Sequence, residues 1–369
     1  MGDDLHRERL RQADDSIRRA ELPAARDILR ELVAGTADSD VRRLAAIRIV
    51  EQFFLEQFRP AVAVLAGCIR GAQPDPEALK HYAFACFSLQ DYPESIRAGH
   101  EALRHLPQDW AVMKTLGMAL LVAGRPVDAY LAFSAGMLAQ PKAKLEGFRN
   151  LAARLMQGQT VANFTVDGQE FRFNLRVDNG QMLEAALYHL HGGFTEMQEL
   201  RLVRDWVRSS ATLVEVGTLV GNHLVYFLKT LKPKKAIVFD ISALSIAACR
   251  DNVRLNEPYA PAPELVFRPT GISGSSGTAP GPDGRPAPVA SLDEAVAESV
   301  DFIKIDVDGL EIEALRGARG LMTKYRPKMM IEIARENDAA FHAFLRTADY
   351  RAIANVEHAL FRNYLIEAR

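Results

Sequence analysis

Cysteine is scarce in this sequence of 369 residues. The chain has three cysteines, Cys68, Cys86 and Cys249. They lie far apart, and none has the CxxC or histidine-flanked spacing that is typical of metal sites. The pattern predicts a reduced, cytoplasmic protein without a metal centre.

Long apolar runs and an excess of one charge are also missing. The best apolar stretch, 110–124, is interrupted by Lys114 and is too short to span a bilayer. The charged N-terminus lacks the apolar segment of a signal peptide. Lysine and arginine number 45 against 47 acidic residues, for a net charge of −2. We therefore expect no membrane span and no nucleic-acid partner.

The usual glycine motifs for phosphate binding are absent as well. Gly217 and Gly221 follow the apolar segment TLVEV, but the sequence forms neither GxGxxG nor a P-loop with GK[ST]. A nicotinamide-dependent oxidoreductase remains an alternative, which the missing GxGxxG disfavours.

The first 145 residues contain an internal repeat. PESIRAGHEALRHLP and VDAYLAFSAGMLAQP align at a spacing of 34, which pairs Ser95 with Ala129. Ala61 and Ala25 continue the series, with two residues inserted between them. Small residues where two helices cross, and a proline after the second helix, resemble the tetratricopeptide repeat. We predict an all-α tetratricopeptide-like domain over residues 1–145, which binds a protein partner, self-associates or braces the enzyme.

A connector is predicted over residues 146–195. A helix ends near Gln157-Gly158, and apolar residues then alternate on either side of Asp167-Gly168. Alternation around Asp-Gly predicts a β-hairpin with a type I′ turn.

Residues 196–369 alternate between short β-branched segments and helical periodicity. This order predicts a parallel sheet with helices on both faces, closed by an antiparallel hairpin at the C-terminal edge. The Gly-, Pro- and Ser-rich stretch 273–290 is predicted to be a mobile loop. The predicted strands are TLVEVG, KAIVFD, LVFRPTG, VDFIKIDV, KMMIEI, YRAIANV and LFRNYLIEA.

Ligands of open parallel sheets bind beyond the carboxyl ends of the strands. Glu215 precedes the glycine turn, where it would repel a pyrophosphate but attract the sulfonium and ammonium of S-adenosylmethionine; the alternative is a solvated strand end. Asp240 follows the second strand, where a carboxylate can accept ribose hydroxyls. Gly271 and Ile272, after the third strand, either lie against an adenine ring or form an ordinary loop.

The fourth strand places Lys304 among apolar residues, where it needs an acidic partner such as Asp306 or Glu332. Asp306, Asp308 and Glu311 then cluster at the strand end. They can act as a base, hold a metal or bind substrate; the alternative is a turn with a helix cap.

These segments together resemble the FkbM family of S-adenosylmethionine-dependent O-methyltransferases, from about Gly192 to the C-terminus. The matching features are Glu196, VEVGTLVG, Asp240, Ser291-Leu292-Asp293, IKIDVDGLEIEALRGA, RPKMMIE and Asn363-Tyr364-Leu365. The departures are Glu215 for aspartate, Thr218-Leu219 for Ala-Asn, Asp240 for glutamate, Asp308 for glutamate and Leu310 for histidine.

The resemblance implies a Rossmann-like α/β methyltransferase that transfers a methyl group to a hydroxyl of a small molecule or glycan, often a sugar or polyketide. The candidates for catalysis are Asp306, Asp308 and His223. The candidates for binding S-adenosyl-L-methionine are Glu196, Glu215, Gly217, Thr218, Gly221, Asn222, Asp240, Ile241, Gly271, Ile272 and Asp306. The altered glycine loop and Leu310 motivate the alternative of a repeat-based interaction protein with an inactive methyltransferase-like domain.

Overall fold

The structure is a computed structural model that describes residues 2–19, 21–52, 58–70, 74–282, 284–307 and 309–369. It has two compact units. The first comprises Met1–Thr160 and Arg176–Leu187, and the second comprises Val161–Leu175 and Tyr188–Arg369. The domain boundaries at 145 and 195 remain predictions. Within the described ranges, every helix is too short or too polar to cross a membrane.

Helices make up the first unit. They are α1 (Gly2–Arg18), α2 (Leu22–Gly35), α3 (Ser39–Gln52), α4 (Phe58–Cys68), α5 (Pro76–Ser88), α6 (Tyr92–His105), α7 (Trp110–Val122), α8 (Pro126–Ala139) and α9 (Glu146–Met156). Several of these helices begin directly after an aspartate whose side chain caps the first turn. Asp109, for example, accepts hydrogen bonds from the backbone N–H groups of Ala111 and Val112, which satisfies donors that a helix start leaves open.

The helices repeat at the spacing that the sequence indicates. Helix α7 begins and ends 34 positions after α5, and α8 does the same relative to α6. The small residues of the repeat, Ala25, Ala61, Ser95 and Ala129, have no exposed surface. Small side chains let the two helices of a pair approach closely, so the sequence period and the structural period have the same cause. The prediction of an N-terminal helical region is confirmed.

Gly117 shows how little room this crossing leaves. A Cβ atom at Gly117 would lie 2.5 Å from Cε1 of Phe133, whose side chain is fully buried. We expect Gly117→Ala to lower the free energy of unfolding by about 2 kcal/mol, since overpacking a dense core costs more than the alanine gains in helix propensity. Gly67→Ala is the matched control, because that helical position has no atom within 4 Å. Urea unfolding of both variants tests this; a neutral Gly117→Ala would contradict it.

The remaining elements follow in chain order. They are β1 (Val161–Val166), β2 (Gln169–Asn174), α10 (Gly180–Leu190), α11 (Met197–Trp206), β3 (Thr212–Val216), α12 (Asn222–Thr230), β4 (Lys235–Phe239), α13 (Ala243–Leu255), β5 (Glu264–Arg268), β6 (Gly271–Ile272), β7 (Gly277–Pro280), β8 (Pro286–Ala290), α14 (Leu292–Ala295), β9 (Phe302–Ile305), α15 (Glu311–Arg316), α16 (Arg319–Tyr325), β10 (Lys328–Ala334), α17 (Asp338–Ala348), β11 (Tyr350–Glu357) and β12 (Phe361–Ala368).

Strands β1 and β2 form the predicted hairpin, with Val166 opposite Gln169. Asp167 and Gly168 both have positive φ, +50° and +74°, as a type I′ turn requires. The Asp167 carboxylate accepts hydrogen bonds from Arg201, Arg204 and the Tyr226 hydroxyl. The turn is thereby fastened to helices α11 and α12.

The main sheet has seven strands in the order β11-β12-β10-β9-β3-β4-β5. Strands β10, β9, β3, β4 and β5 are parallel, and β12 and β11 add an antiparallel edge. The predicted mainly parallel sheet with an antiparallel C-terminal hairpin is confirmed. The reversed strand order on either side of β3 places a crevice at the carboxyl ends of these strands.

The prediction of a loop over 273–290 is wrong in its secondary structure. Strands β7 and β8 pair there as an antiparallel hairpin, and β6 pairs with β8 in parallel. Proline removes backbone donors, which made the stretch read as a loop. In the observed register Pro280 lies opposite Pro286, and Pro288 lies opposite Thr278. On β8 the prolines thus stand two positions apart, at 286 and 288, and the residues between and after them supply the donors for the ladder.

Candidate functional site

Two ionisable side chains lie on neighbouring strands in the middle of the sheet. Glu215 on β3 lies beside Lys304 on β9 in parallel register, and both are about 3% exposed. Side chains alternate across a strand, so Glu215 shares a face with Leu213, and Lys304 shares that face with Phe302. Leu213 and Phe302 belong to the core beneath α11 and α12. The two charged groups therefore continue an apolar face at its carboxyl end.

Lys304 has the partner that the sequence indicates. Its ammonium donates to Oδ2 of Asp306 at 2.9 Å and to the carbonyl oxygen of Gly217 at 2.6 Å. Burial alone would lower its pKa, but Asp306 and Glu215 keep the pKa above the ordinary value, so the ammonium stays charged. Lys304 thus binds the end of its own strand to the glycine turn after β3.

Burial raises the pKa of Glu215 to about 7, against the opposing effects of Lys304 and a hydrogen bond with Thr218. Its Oε2 atom is buried without a hydrogen-bond partner among the described residues. A buried acceptor without a donor is costly, typically about 1–3 kcal/mol. The geometry therefore suits a ligand that brings a cation or an N–H or O–H group to this oxygen.

The turn after β3 depends on its glycines. Gly217 and Gly221 both have φ of +77°. A Cβ at Gly217 would lie 1.7 Å from the carbonyl oxygen of Asp306, and a Cβ at Gly221 would lie 2.7 Å from Sγ of Cys249. The turn thus packs against the end of β9 on one side and against α13 on the other, where Thr218 donates to Cys249 Sγ.

Asp240 fastens this turn from the next strand. Its Oδ2 accepts hydrogen bonds from the backbone N–H groups of Thr218 at 3.0 Å and Leu219 at 3.2 Å, and its Oδ1 accepts from Ser242. Burial raises its pKa although these donors oppose the shift. Asp240 therefore holds the glycine turn after β3 in place. The sequence predicts Asp240 beside this turn.

Leu219 has a left-handed backbone conformation, which is unfavourable for leucine. Its φ is +49°, in the left-handed region, which costs an L-residue other than glycine, asparagine or aspartate about 1–2 kcal/mol. We expect Leu219→Asn to raise the free energy of unfolding by about 1 kcal/mol, since asparagine tolerates this region. Thermal unfolding tests it. Leu219→Ala, which keeps the strain, is the control, and equal melting temperatures for the two variants would refute the explanation.

His223 and Glu196 lie together at the same edge. His223 is the second residue of α12, and its Nε2 lies 3.3 Å from Glu196 Oε2 without hydrogen-bond geometry. Burial lowers the pKa of His223 to about 3, and burial beside Asp306 raises the pKa of Glu196. Both groups are therefore neutral near pH 7, and the contact is not an ion pair. Glu196 also has a left-handed backbone, with φ of +57°.

The side-chain amide of Asn222 forms hydrogen bonds within the protein. It accepts from Nε2 of His189 at 2.8 Å and donates to the Thr195 hydroxyl at 2.6 Å. Burial lowers the pKa of His189 to about 4, so the ring is neutral and donates. His189 was not anticipated from the sequence. A histidine in the apolar stretch ALYHLH was the available signal.

A second unanticipated support comes from α13. Asn252 is fully buried, donates to the Val220 carbonyl at 2.9 Å and accepts from the backbone N–H of Asn174 at 2.9 Å. It joins the glycine turn to β2. The signal was Asn252 and Asn256 four residues apart, which places two amides on one helix face.

Two predicted site residues, Gly271 and Ile272, follow β5. Ile272 is 4% exposed and packs in the core of the sheet, so its side chain does not line the edge. Its contact with an adenine ring stays a prediction. Gly271 instead lies against Ile241, since a Cβ added at Gly271 would lie 3.1 Å from Cδ1 of Ile241. Ile241 and Gly271 follow adjacent strands, β4 and β5.

The acidic turn after β9 is described in part, because Asp308 lies outside the described residues. Asp306 keeps a third of its side chain exposed. Gly309 has φ of +91°, and its N–H donates to Glu311 Oε1 at 2.6 Å. Glu311 thus caps the turn at the start of α15. Across the described ranges, no three histidine, cysteine or carboxylate side chains are grouped to hold a metal.

Comparison with known proteins finds a family model that matches part of the chain. The family model described as the methyltransferase FkbM domain matches residues 227–352, from within α12 to within β11. The match includes β9 and the acidic turn, whereas Glu215 and the glycine turn lie just before it. No curated protein matches the chain.

Several solved structures are similar. An FkbM methyltransferase from Methylobacillus flagellatus KT is 18% identical, with a TM-score of 0.37 over 59% of this chain and 59% of that one, under two thirds of its length. An rRNA methylase from Streptococcus thermophilus is 12% identical, with a TM-score of 0.34 over 46% of this chain and 94% of that one. M. jannaschii TYW2, solved with AdoMet, is 10% identical, with a TM-score of 0.35 over 56% and 85%.

Proposed function

We propose that this chain is an S-adenosylmethionine-dependent methyltransferase, because residues 227–352 match the family model described as the methyltransferase FkbM domain. The acceptor we propose is a hydroxyl group on a sugar, a polyketide or another secondary metabolite. The helical repeats serve to recognise the substrate or a partner, or to form a dimer.

The Oε2 atom of Glu215 carries this proposal. It is a buried carboxylate oxygen, without a hydrogen-bond partner among the described residues, at the switch point of the sheet. S-adenosylmethionine brings a sulfonium and an ammonium, whereas a dinucleotide brings phosphates that this carboxylate would repel.

The position of Asp240 supports a nucleoside ligand, but most of its acceptor positions are already used within the protein. A carboxylate offers about four acceptor positions, and three are occupied by the N–H groups of Thr218, Leu219 and Ser242. One position remains for a ribose hydroxyl. Ile241 and Gly271 then flank the place where an adenine ring would continue from the ribose.

The residues at the acidic edge would handle the acceptor. The cofactor supplies an electrophilic methyl group on a sulfonium. Asp306 is a candidate base that is described and reachable from solvent, and Lys304 holds its Oδ2 while Oδ1 is left to accept a hydroxyl proton. His223 is neutral with an open Nε2, but its side chain is only 5% exposed. Asp306 is therefore the better of these two for contact with an acceptor.

The charge around this edge favours a hydroxyl-rich acceptor over a nucleic acid. Asp306 lies at this edge with a third of its side chain exposed, and Lys304, which donates to it, is buried. Carboxylates accept hydrogen bonds from sugar hydroxyls, whereas they repel the phosphates that dominate binding to nucleic acids.

Calorimetry with S-adenosylmethionine, S-adenosylhomocysteine and NAD tests the cofactor. We expect both sulfur nucleosides to bind and NAD not to bind. Glu215→Gln should weaken S-adenosylmethionine binding by about 2 kcal/mol, roughly thirtyfold, because it removes a charged hydrogen-bond acceptor. Glu264→Gln is the matched control, since Glu264 begins β5 at the opposite edge and pairs with Lys235.

Failure of both sulfur nucleosides to bind would refute the proposal and leave the repeat-based interaction protein. Tight binding without methyl transfer would also favour that alternative. Labelled methyl transfer to glycan, polyketide and protein acceptors separates the two and identifies the acceptor class.

A further inference from the structure

The helical unit contains a cleft that the methyltransferase site does not use. It has a volume of about 300 Å³ and lies between the start of α7, the end of α8 and the segment 140–145. Its lining includes Trp110, Lys114, Lys142, Lys144 and Leu145. A volume of this size accommodates one or two side chains of a bound ligand.

The cleft carries an excess of positive charge. Lys142 and Lys144 are exposed, and among the described residues neither ammonium has an ion pair or a hydrogen bond. Lys114 lies over the ring of Phe148, with its Nζ 5.4 Å from the centroid. Glu146, the nearest acid in sequence to Lys144, lies outside the lining of the cleft. Asp109, the nearest acid to Lys114, is occupied by Lys80 and by the N–H groups at the start of α7. The three ammonium groups are thus available to an anionic ligand.

An aromatic surface lies beside these charges. Trp110 is 38% exposed at the first position of α7, and Leu145 forms a fully buried wall. An exposed indole next to unpaired lysines is typical of a binding surface, since tryptophan and charged groups together bind ligands that are part apolar and part ionic.

We propose that this cleft binds an acidic peptide segment of a partner protein, with an apolar side chain against Trp110 and carboxylates on the lysines. Charge complementarity selects an acidic ligand, and the indole selects one with an apolar side chain beside its carboxylates. Stacked helical repeats present surfaces of this kind to extended chains. The inference is independent of the proposed methyltransferase activity.

Tryptophan fluorescence provides the test, because Trp206 is the other of the two tryptophans. In the full chain carrying Trp206→Phe, Trp110 is the reporter. The probes are a seven-residue peptide of glutamates around one leucine, the same peptide with glutamines, free glutamate and inorganic phosphate. We expect a saturable change with the acidic peptide that weakens as salt is added, and no saturation with the other three in the same range.

The variant Lys142→Glu/Lys144→Glu should weaken the acidic peptide at least about tenfold, since two attractive charges become repulsive. Arg30→Glu/Arg70→Glu changes charge equally at exposed positions of the same unit outside the cleft, and should bind like the parent. Circular dichroism checks that both variants fold. The proposal is overturned if no probe binds, if the glutamine peptide or the small anions bind as well as the acidic peptide, or if the double lysine variant binds like the parent.

Discussion

Gly217→Ala is expected to abolish S-adenosylmethionine binding and to destabilise the second unit by about 4 kcal/mol. The new Cβ would lie 1.7 Å from the Asp306 carbonyl oxygen, at a backbone φ of +77°. The left-handed conformation costs an alanine about 1–2 kcal/mol, and forcing the turn away from β9 adds about 1–3 kcal/mol. Moving the turn also separates its carbonyl from Lys304, which donates to it.

Two measurements check this expectation. Urea unfolding gives the loss of stability, and calorimetry below the new melting temperature gives the loss of binding. Gly277→Ala is the control, since it lies in β7 with no atom within 4 Å of the new Cβ. A Gly217→Ala protein with parental stability and affinity would show that the turn is not held against β9.

The affinity for S-adenosylmethionine is expected to rise roughly tenfold or more between about pH 5.5 and about pH 7.5. Burial raises the pKa of Glu215 to about 7, so the ligand-free protein carries this carboxyl protonated at the acidic end of the range. A cationic ligand favours the ionised form. Binding below pH 7 must therefore release a proton, and the dissociation constant falls with rising pH until the carboxyl is ionised in the free protein.

Calorimetry in buffers of different ionisation enthalpy measures the released proton directly. Glu215→Gln should flatten the pH profile, because glutamine cannot titrate. S-adenosylhomocysteine shares the amino-acid and nucleoside parts but lacks the sulfonium, so its pH dependence should be smaller. An equal slope for the Glu215→Gln variant would assign the proton to another group, with Glu196 next in line because its pKa is also raised.

The same titration affects folding with the opposite sign. A carboxyl whose pKa is higher in the folded state than in the unfolded chain binds more protons when folded. Stability of the ligand-free protein therefore falls as pH rises from about 4.5 to about 7. Glu215 thus costs stability in the pH range where it is most useful to a cationic ligand.

Much of this site could be predicted at the level of residue type. Glu215, Gly217 and Asp240 lie at or just after strand ends that the apolar pattern locates, and strand ends in a parallel sheet meet at one edge. The pairing of Lys304 with Asp306 was predictable because a buried ammonium requires an acid nearby. Local chemistry and strand order were sufficient for these residues.

Other features required long-range packing. His189 reaches Asn222, and Asn252 joins the Val220 carbonyl to β2, across separations of more than thirty residues that no local pattern encodes. The sequence did not predict the hairpin of β7 and β8, because a high proline content is typical of loops. Only the partner strand shows which positions of the hairpin need backbone donors.

By itself, the sequence determined the helical repeats, the succession of the main-sheet strands along the chain and the acids at the strand ends, because these depend on periodicity and residue type. Only the tertiary structure decided the charge states of these side chains and the number of hydrogen-bond positions that they keep free. Burial and donors from distant segments decide whether Glu215 is ionised and whether His223 is neutral. They also decide how many acceptor positions Asp240 retains. Those quantities arise from packing, since desolvation and hydrogen bonding act through space and not along the chain.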